Sequence, residues 1–151
     1  MTVVRNRLWP LKRIRTLSEF GLFTYVVVFA SCVPILMRLP LPWLARVVTR
    51  APRRRRVSAQ EVDRLAEFVS LAPVVASPAV RNGCLTRGIT LYWFLRRAGM
   101  PVELRFGLDP ASTSAGADGH CWLTLDGAPF LERVDPRDHF SELYCFPLVE
   151  A

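Results

Sequence analysis

The stretch 120-HCWLTLDGAPFLERV-134 constrains the fold more than any other part of the chain. Asp126-Gly127 is a turn signal between two apolar runs, and a turn this short joins only antiparallel neighbours. The expected strands are 120–125 and 130–134. Upstream, residues 102–108 alternate: Val102, Leu104, Phe106 and Leu108 on one face, Glu103 and Arg105 on the other. That is the pattern of a half-buried strand. An eleven-residue polar loop, 109–119, separates it from the hairpin. Ahead of it, residues 84–98 carry Leu85, Ile89, Tyr92, Trp93 and Leu95 at helical spacing. Arg96 and Arg97 suit the negative end of such a helix, Gly99 suits a left-handed cap, and Pro101 blocks continuation. A helix followed by three strands predicts an α+β fold with the helix packed on an antiparallel sheet.

The chain of 151 residues is long enough for one domain around one core. Ser58-Ala59-Gln60-Glu61 is a capping box. It predicts a helix through Val62, Leu65, Ala66 and Val69 toward Leu71, ended by Pro73. Residues 73–83 then form a connector. The first 56 residues are of a different kind. They hold twelve Lys and Arg against one acid, whereas residues 57–151 hold eight Arg against twelve acids. Residues 20–37 contain no charge at all. This predicts a helical, apolar and basic extension (1–56) ahead of the main domain (57–151). Residues 20–37 sit at the lower length limit of a membrane span, and Pro34 would kink the helix. They read as a membrane contact or as a helix packed on the domain. Residues 38–56 read as a short amphipathic helix and an arginine-rich linker. So basic a segment faces an anionic partner such as a membrane surface. Nucleic acid is not expected, because no aromatic or Gly-rich reader motif accompanies the arginines.

The four cysteines, Cys32, Cys84, Cys121 and Cys145, form no CxxC pair and no framework. They point to reduced thiols and a cytoplasmic protein. Cys32, Cys121 and Cys145 read as core residues. Cys84 has a different address. It opens a helix, where unpaired N–H groups and the helix dipole favour thiolate, and Arg81 and Arg87 add charge. A thiol nucleophile also needs a base. His139 lies in a polar turn and reads as a surface residue. His120 begins a strand after a flexible loop and can face a cleft. The orienting acid depends on hairpin register. A three-residue loop places Glu132 opposite His120; a two-residue loop turns Glu132 to the other face and brings Asp135 nearer. A zinc site from Cys84, His120, Cys121 and Cys145 is disfavoured, because adjacent strand residues point to opposite faces. No metal and no cofactor are expected.

The pattern NGCLTRGITLYWFLRRAGMPVELRFGL followed by GHCWLTLDG resembles the protease domain of the leader peptidases of lasso-peptide (microcin) biosynthesis. The resemblance covers roughly residues 60–135. It implies a transglutaminase-like, papain-type cysteine protease fold, with Cys84 as nucleophile and His120 as base. The family's third residue, an aspartate, falls on Glu132 here, and Cys121 stands where the family commonly has Ala. The resemblance also implies a function: removal of the leader from a ribosomally made precursor peptide. The implied partners are that precursor, a separate precursor-recognition protein and an asparagine-synthetase-like macrolactam cyclase. Two rival readings keep the fold: an inactive module that presents precursor to the cyclase, and an acyl transferase using the same triad.

Overall fold

A computed structural model describes residues 14, 16–49, 57–75, 83–111 and 118–147. Among the described residues, four helices precede the sheet: α1 (Leu17–Leu36), α2 (Leu41–Val48), α3 (Ala59–Val75) and α4 (Cys84–Ala98). Four strands follow: β1 (Glu103–Leu108), β2 (Gly119–Leu125), β3 (Ala128–Phe130) and β4 (Ser141–Phe146). They form one antiparallel sheet in the order β3-β2-β1-β4. The fold is α+β, as the succession of sequence patterns predicts.

Helix α4 lies between the other helices and the sheet, touching α1, α2 and α3 as well as β1 and β2. Its sequence explains the placement. Ile89, Leu91, Tyr92, Phe94 and Leu95 are all buried, so its apolar residues occupy more than one face. Burying each aliphatic side chain of this set contributes about 1.5–3 kcal/mol. Gly99 ends the helix in the left-handed conformation, with its N–H donating to Arg96 and Leu95 carbonyls. At the other layer, Tyr25 and Phe29 of α1 pack against Trp93 and Phe94. The Thr49 and Tyr92 hydroxyls lie 2.9 Å apart, tying the end of α2 to α4. Phe23, Val26, Ala30 and Val33 of α1 join the same hydrophobic cluster as the inner residues of α2, α3 and α4.

The capping box at Ser58 forms. The Glu61 N–H donates to Ser58 Oγ at 3.2 Å, and the Ser58 N–H donates to Glu61 Oε2 at 2.9 Å. Three expectations are corrected. Helix α3 does not end at Pro73 but continues to Val75. Val75, past the proline, packs against the core cluster, and that contact offsets the one hydrogen bond that Pro73 lacks. The second hairpin strand stops at Phe130 instead of running to residue 134. Leu131 has a φ of 60°, which takes the chain out of the extended region. A further strand, β4, pairs with β1 on the far side of the sheet. Its residues show no clean apolar alternation, and burial reaches only its last positions.

Candidate active site

Cys84 is the first residue of α4, with Gly83 as its N-cap. It therefore sits among the N–H groups that have no partner within the helix. Arg81, which the sequence also placed near the thiol, lies outside the described residues. Helix and strand approach closely here because Gly88 has no side chain. A Cβ at Gly88 would lie 2.7 Å from Cys121 Sγ and 3.1 Å from Leu104 Cδ1. A glycine inside a helix costs about 0.5–1 kcal/mol relative to alanine, and the close approach is what that cost permits.

The turn settles the hairpin register. Asp126 and Gly127 both have positive φ, 50° and 78°, as a two-residue type I′ turn requires. The pairs are Leu125 with Ala128, Thr124 with Pro129 and Leu123 with Phe130. Continued as a regular ladder, this register would turn Glu132 away from His120. The ladder does not continue. The left-handed residue Leu131 redirects the chain, and Glu132 Oε2 lies 3.9 Å from His120 Nε2. Asp135 is engaged elsewhere. Arg137 holds its carboxylate at 2.6 Å and lowers its pKa, and the Asp135 side chain caps the short 3-10 helix Pro136–Asp138.

The early end of β3 has a second effect. Opposite residues 119–122, β2 has no strand on that side among the described residues. Its outward backbone groups there meet the start of α4 instead. The Cys84 thiol reaches the Gly119 carbonyl at 3.7 Å, and the Cys121 N–H hydrogen-bonds the Cys84 sulfur. The sulfur thus lies at the open edge of β2 rather than above either face. For that reason both His120 and Cys121 reach it, although they point to opposite faces. The opposite-face rule used against a shared site therefore does not hold at a strand edge. Among the described residues, no group of three or more His, Cys, Asp or Glu is disposed to hold a metal ion.

These contacts hold the Cys84 thiol down to about 5. The hydrogen bond from the Cys121 side chain is the largest cause. The Cys121 N–H and the His120 imidazole add to it, against the upward push of partial burial. Cys121 is driven the other way, because the neighbouring Cys84 sulfur and burial both raise its pKa. It stays a thiol, and its sulfur lies 2.9 Å from the Cys84 carbonyl oxygen. Cys121 is buried, as its reading as a core residue requires, and it also touches the Cys84 sulfur; Cys145 is only half-buried, and Cys32 on α1 is exposed, which corrects its reading as a core residue.

Arg87, one turn beyond Cys84, reaches Glu132 as well as adding charge. Its Nη1 lies 3.1 Å from Glu132 Oε1, and its Nη2 donates to the Leu131 carbonyl at 3.1 Å. One arginine thus holds both the acid and the left-handed residue that aims it. No sequence signal marks that pairing, since the two partners are 45 residues apart. The His120 ring lies beside Trp122 and Phe140, with centroids 6.2 and 5.1 Å away.

Two recesses flank His120. A cleft of about 500 Å³ is lined by Arg87, His120, Glu132, Arg133, His139 and Phe140, among others. His139 is exposed, as expected, yet borders this cleft. A smaller recess of about 210 Å³ lies between Leu85, Phe106, Leu108, His120 and Leu143. A thiolate at a helix start, an imidazole beside it and a carboxylate behind the imidazole are the parts of an acyl-transfer site.

The comparison with protein families agrees with this geometry. The family model of the transglutaminase-like superfamily matches residues 28–145, and the chain belongs to that superfamily. Its fold is that of cysteine proteases and acyltransferases, and its members are typically cysteine-triad enzymes. No match is found among curated proteins or among solved structures.

Proposed function

We propose that the chain is a cysteine peptidase that removes the leader from a ribosomally synthesised precursor in lasso-peptide maturation. The observation that carries the peptidase chemistry is the Cys84 sulfur, held near a pKa of 5 against His120 with Glu132 behind. The leader-peptide substrate rests on the motif resemblance over residues 60–135.

In this reading Cys84 thiolate attacks the carbonyl of the leader–core bond. The Cys84 backbone N–H, free at the helix start, donates to the oxyanion. His120 Nε2 is turned toward Glu132, which leaves Nδ1 for the sulfur. The imidazolium gives its proton to the departing amine of the core peptide. Water, deprotonated by His120, then releases the leader acid from the thioester, and thiolate and imidazolium are restored. Glu132, 3.9 Å from the imidazole, offsets its positive charge, and Arg87 holds Glu132. An extended peptide crossing His120 has an apolar seat at Leu85, Phe106, Leu108 and Leu143 on one side and the polar cleft on the other. A separate recognition protein delivers the leader, and a macrolactam cyclase consumes the released core.

The test is mass spectrometry of precursor peptide incubated with the chain and its recognition protein. The expected product is free core with a new amino terminus, absent with Cys84→Ala. Cleavage by the Cys84→Ala protein would overturn the assignment. A product joined to an added amine acceptor, with no free leader acid, would assign acyl transfer instead.

A further inference from the structure

Helix α1 is apolar around its circumference, for residues 20–37 carry no charge. Its inner face, Phe23, Val26, Ala30 and Val33, is buried against α3 and α4. Its outer face is not. Phe20, Val28 and Ile35 are 50, 55 and 63 % exposed, and their spacing of seven or eight residues puts them on one face of the helix. Helix α2 repeats the arrangement: Leu44, Ala45 and Val48 are buried while Trp43 is 59 % exposed. A helix apolar all round is normally enclosed by protein or by lipid.

The surroundings favour lipid. Residues 1–56 carry twelve Lys and Arg against one acid, and the rest of the chain is net acidic. Arg38 is exposed just beyond the end of α1, and the Arg46 guanidinium lies 5.5 Å from the centre of the Trp43 ring. Apolar residues with a Trp and arginines at the border match the two layers of an anionic lipid surface, acyl chains and phosphates. Helix α1 is long and apolar enough to cross a membrane, but its packing favours a helix lying on the domain. Helix α1 is packed against α3, and Arg64 of α3 pairs with Glu19 at 2.8 Å and Glu67 at 2.7 Å. A membrane-crossing α1 would have to part from α3 and α4 and lose the packing of Phe23, Val26, Ala30 and Val33.

We propose that the outer faces of α1 and α2 form a membrane-docking surface that lies in the plane of an anionic bilayer. Phe20, Val28, Ile35 and Trp43 enter the interface, and Arg38 and Arg46 meet lipid phosphates. Cys84 and His120 lie toward the sheet side of α4, so the docked protein keeps its reactive cleft in water. This surface does not depend on the peptidase reading.

Co-sedimentation of the full chain with phosphatidylcholine vesicles, with and without phosphatidylserine, tests it. Binding to the anionic vesicles is expected, weakened by salt and at least about tenfold weaker without phosphatidylserine. The double variant Val28→Glu/Ile35→Glu should lose binding at least about tenfold while its circular dichroism and Cys84 alkylation rate stay unchanged. Alkaline carbonate should release the bound chain. The proposal is overturned if the chain ignores both vesicles, if the double variant binds like wild type, or if carbonate leaves the chain in the membrane. It is also overturned if the wild type is a dimer that the double variant breaks and no vesicle binding is seen, because the face is then a contact between copies.

Discussion

Arg87 and Glu132 meet at 3.1 Å, and through that contact the first turn of the helix that carries the thiol also holds the acid behind the imidazole. Arg87→Ala should leave Glu132 without its anchor and lower kcat on a peptide substrate by on the order of tenfold to a hundredfold, with little change in KM. Arg87→Lys should recover part of the loss, since an ammonium can reach one partner but cannot fork to both. An unchanged kcat in Arg87→Ala would show that Glu132 needs no such anchor.

The depressed pKa of Cys84 sets a pH profile. Alkylation by iodoacetamide should be near its plateau at neutral pH and fall through an apparent pKa of about 5. Stability follows the same linkage. The folded-state value lies below the ordinary thiol value of 9.0, so the thiolate's contribution is full above about pH 9 and is lost as pH falls toward 5. Denaturant titrations of wild type and Cys84→Ala should therefore converge as pH is lowered. A midpoint for alkylation above pH 8 would contradict the assigned contacts.

Cys121 is the chief stabiliser of that thiolate, so its removal should be read in the same profile. Cys121→Ala should move the alkylation midpoint up by about one pH unit or more, which corresponds to at least about 1.4 kcal/mol in the thiolate–thiol balance. Cys121→Ser keeps a donor and should shift it less. Equal shifts in the two variants would assign the effect to packing rather than to hydrogen bonding.

Gly88 and Cys121 should be coupled through space. Gly88→Ala gains up to about 1 kcal/mol of helix propensity but forces a methyl to 2.7 Å from Cys121 Sγ. Overpacking of this kind costs about 1–3 kcal/mol, so a net loss of Tm of several degrees is expected. Adding Cys121→Ala should restore part of it. Additive losses in the double variant would separate the two positions.

Much of this architecture could be read from local patterns, and the misses share one cause. Helix α4, its Gly99 cap, the capping box at Ser58 and the Asp126-Gly127 turn are short-range features whose chemistry lies within a few residues. Cys84 and His120 stand out for the same reason: each marks where an element begins. Strand parity alone leaves Glu132 and Asp135 both open, the family resemblance points to Glu132, and parity fails at Leu131, where the chain turns left-handed. The Arg87–Glu132 pair and strand β4 depend on elements distant in sequence. The continuation of α3 past Pro73 depends on burial that propensity cannot see.

Among the described residues, the three-residue strand β3 leaves an edge of β2 without a strand partner beside His120, and an exposed strand edge is a template for pairing with any extended chain. Here the thiol end of α4 occupies that edge at Gly119 and Cys121. What guards the sheet against unwanted partners is thus the same group that would meet a wanted one: a chain drawn to the open edge arrives at the Cys84 sulfur.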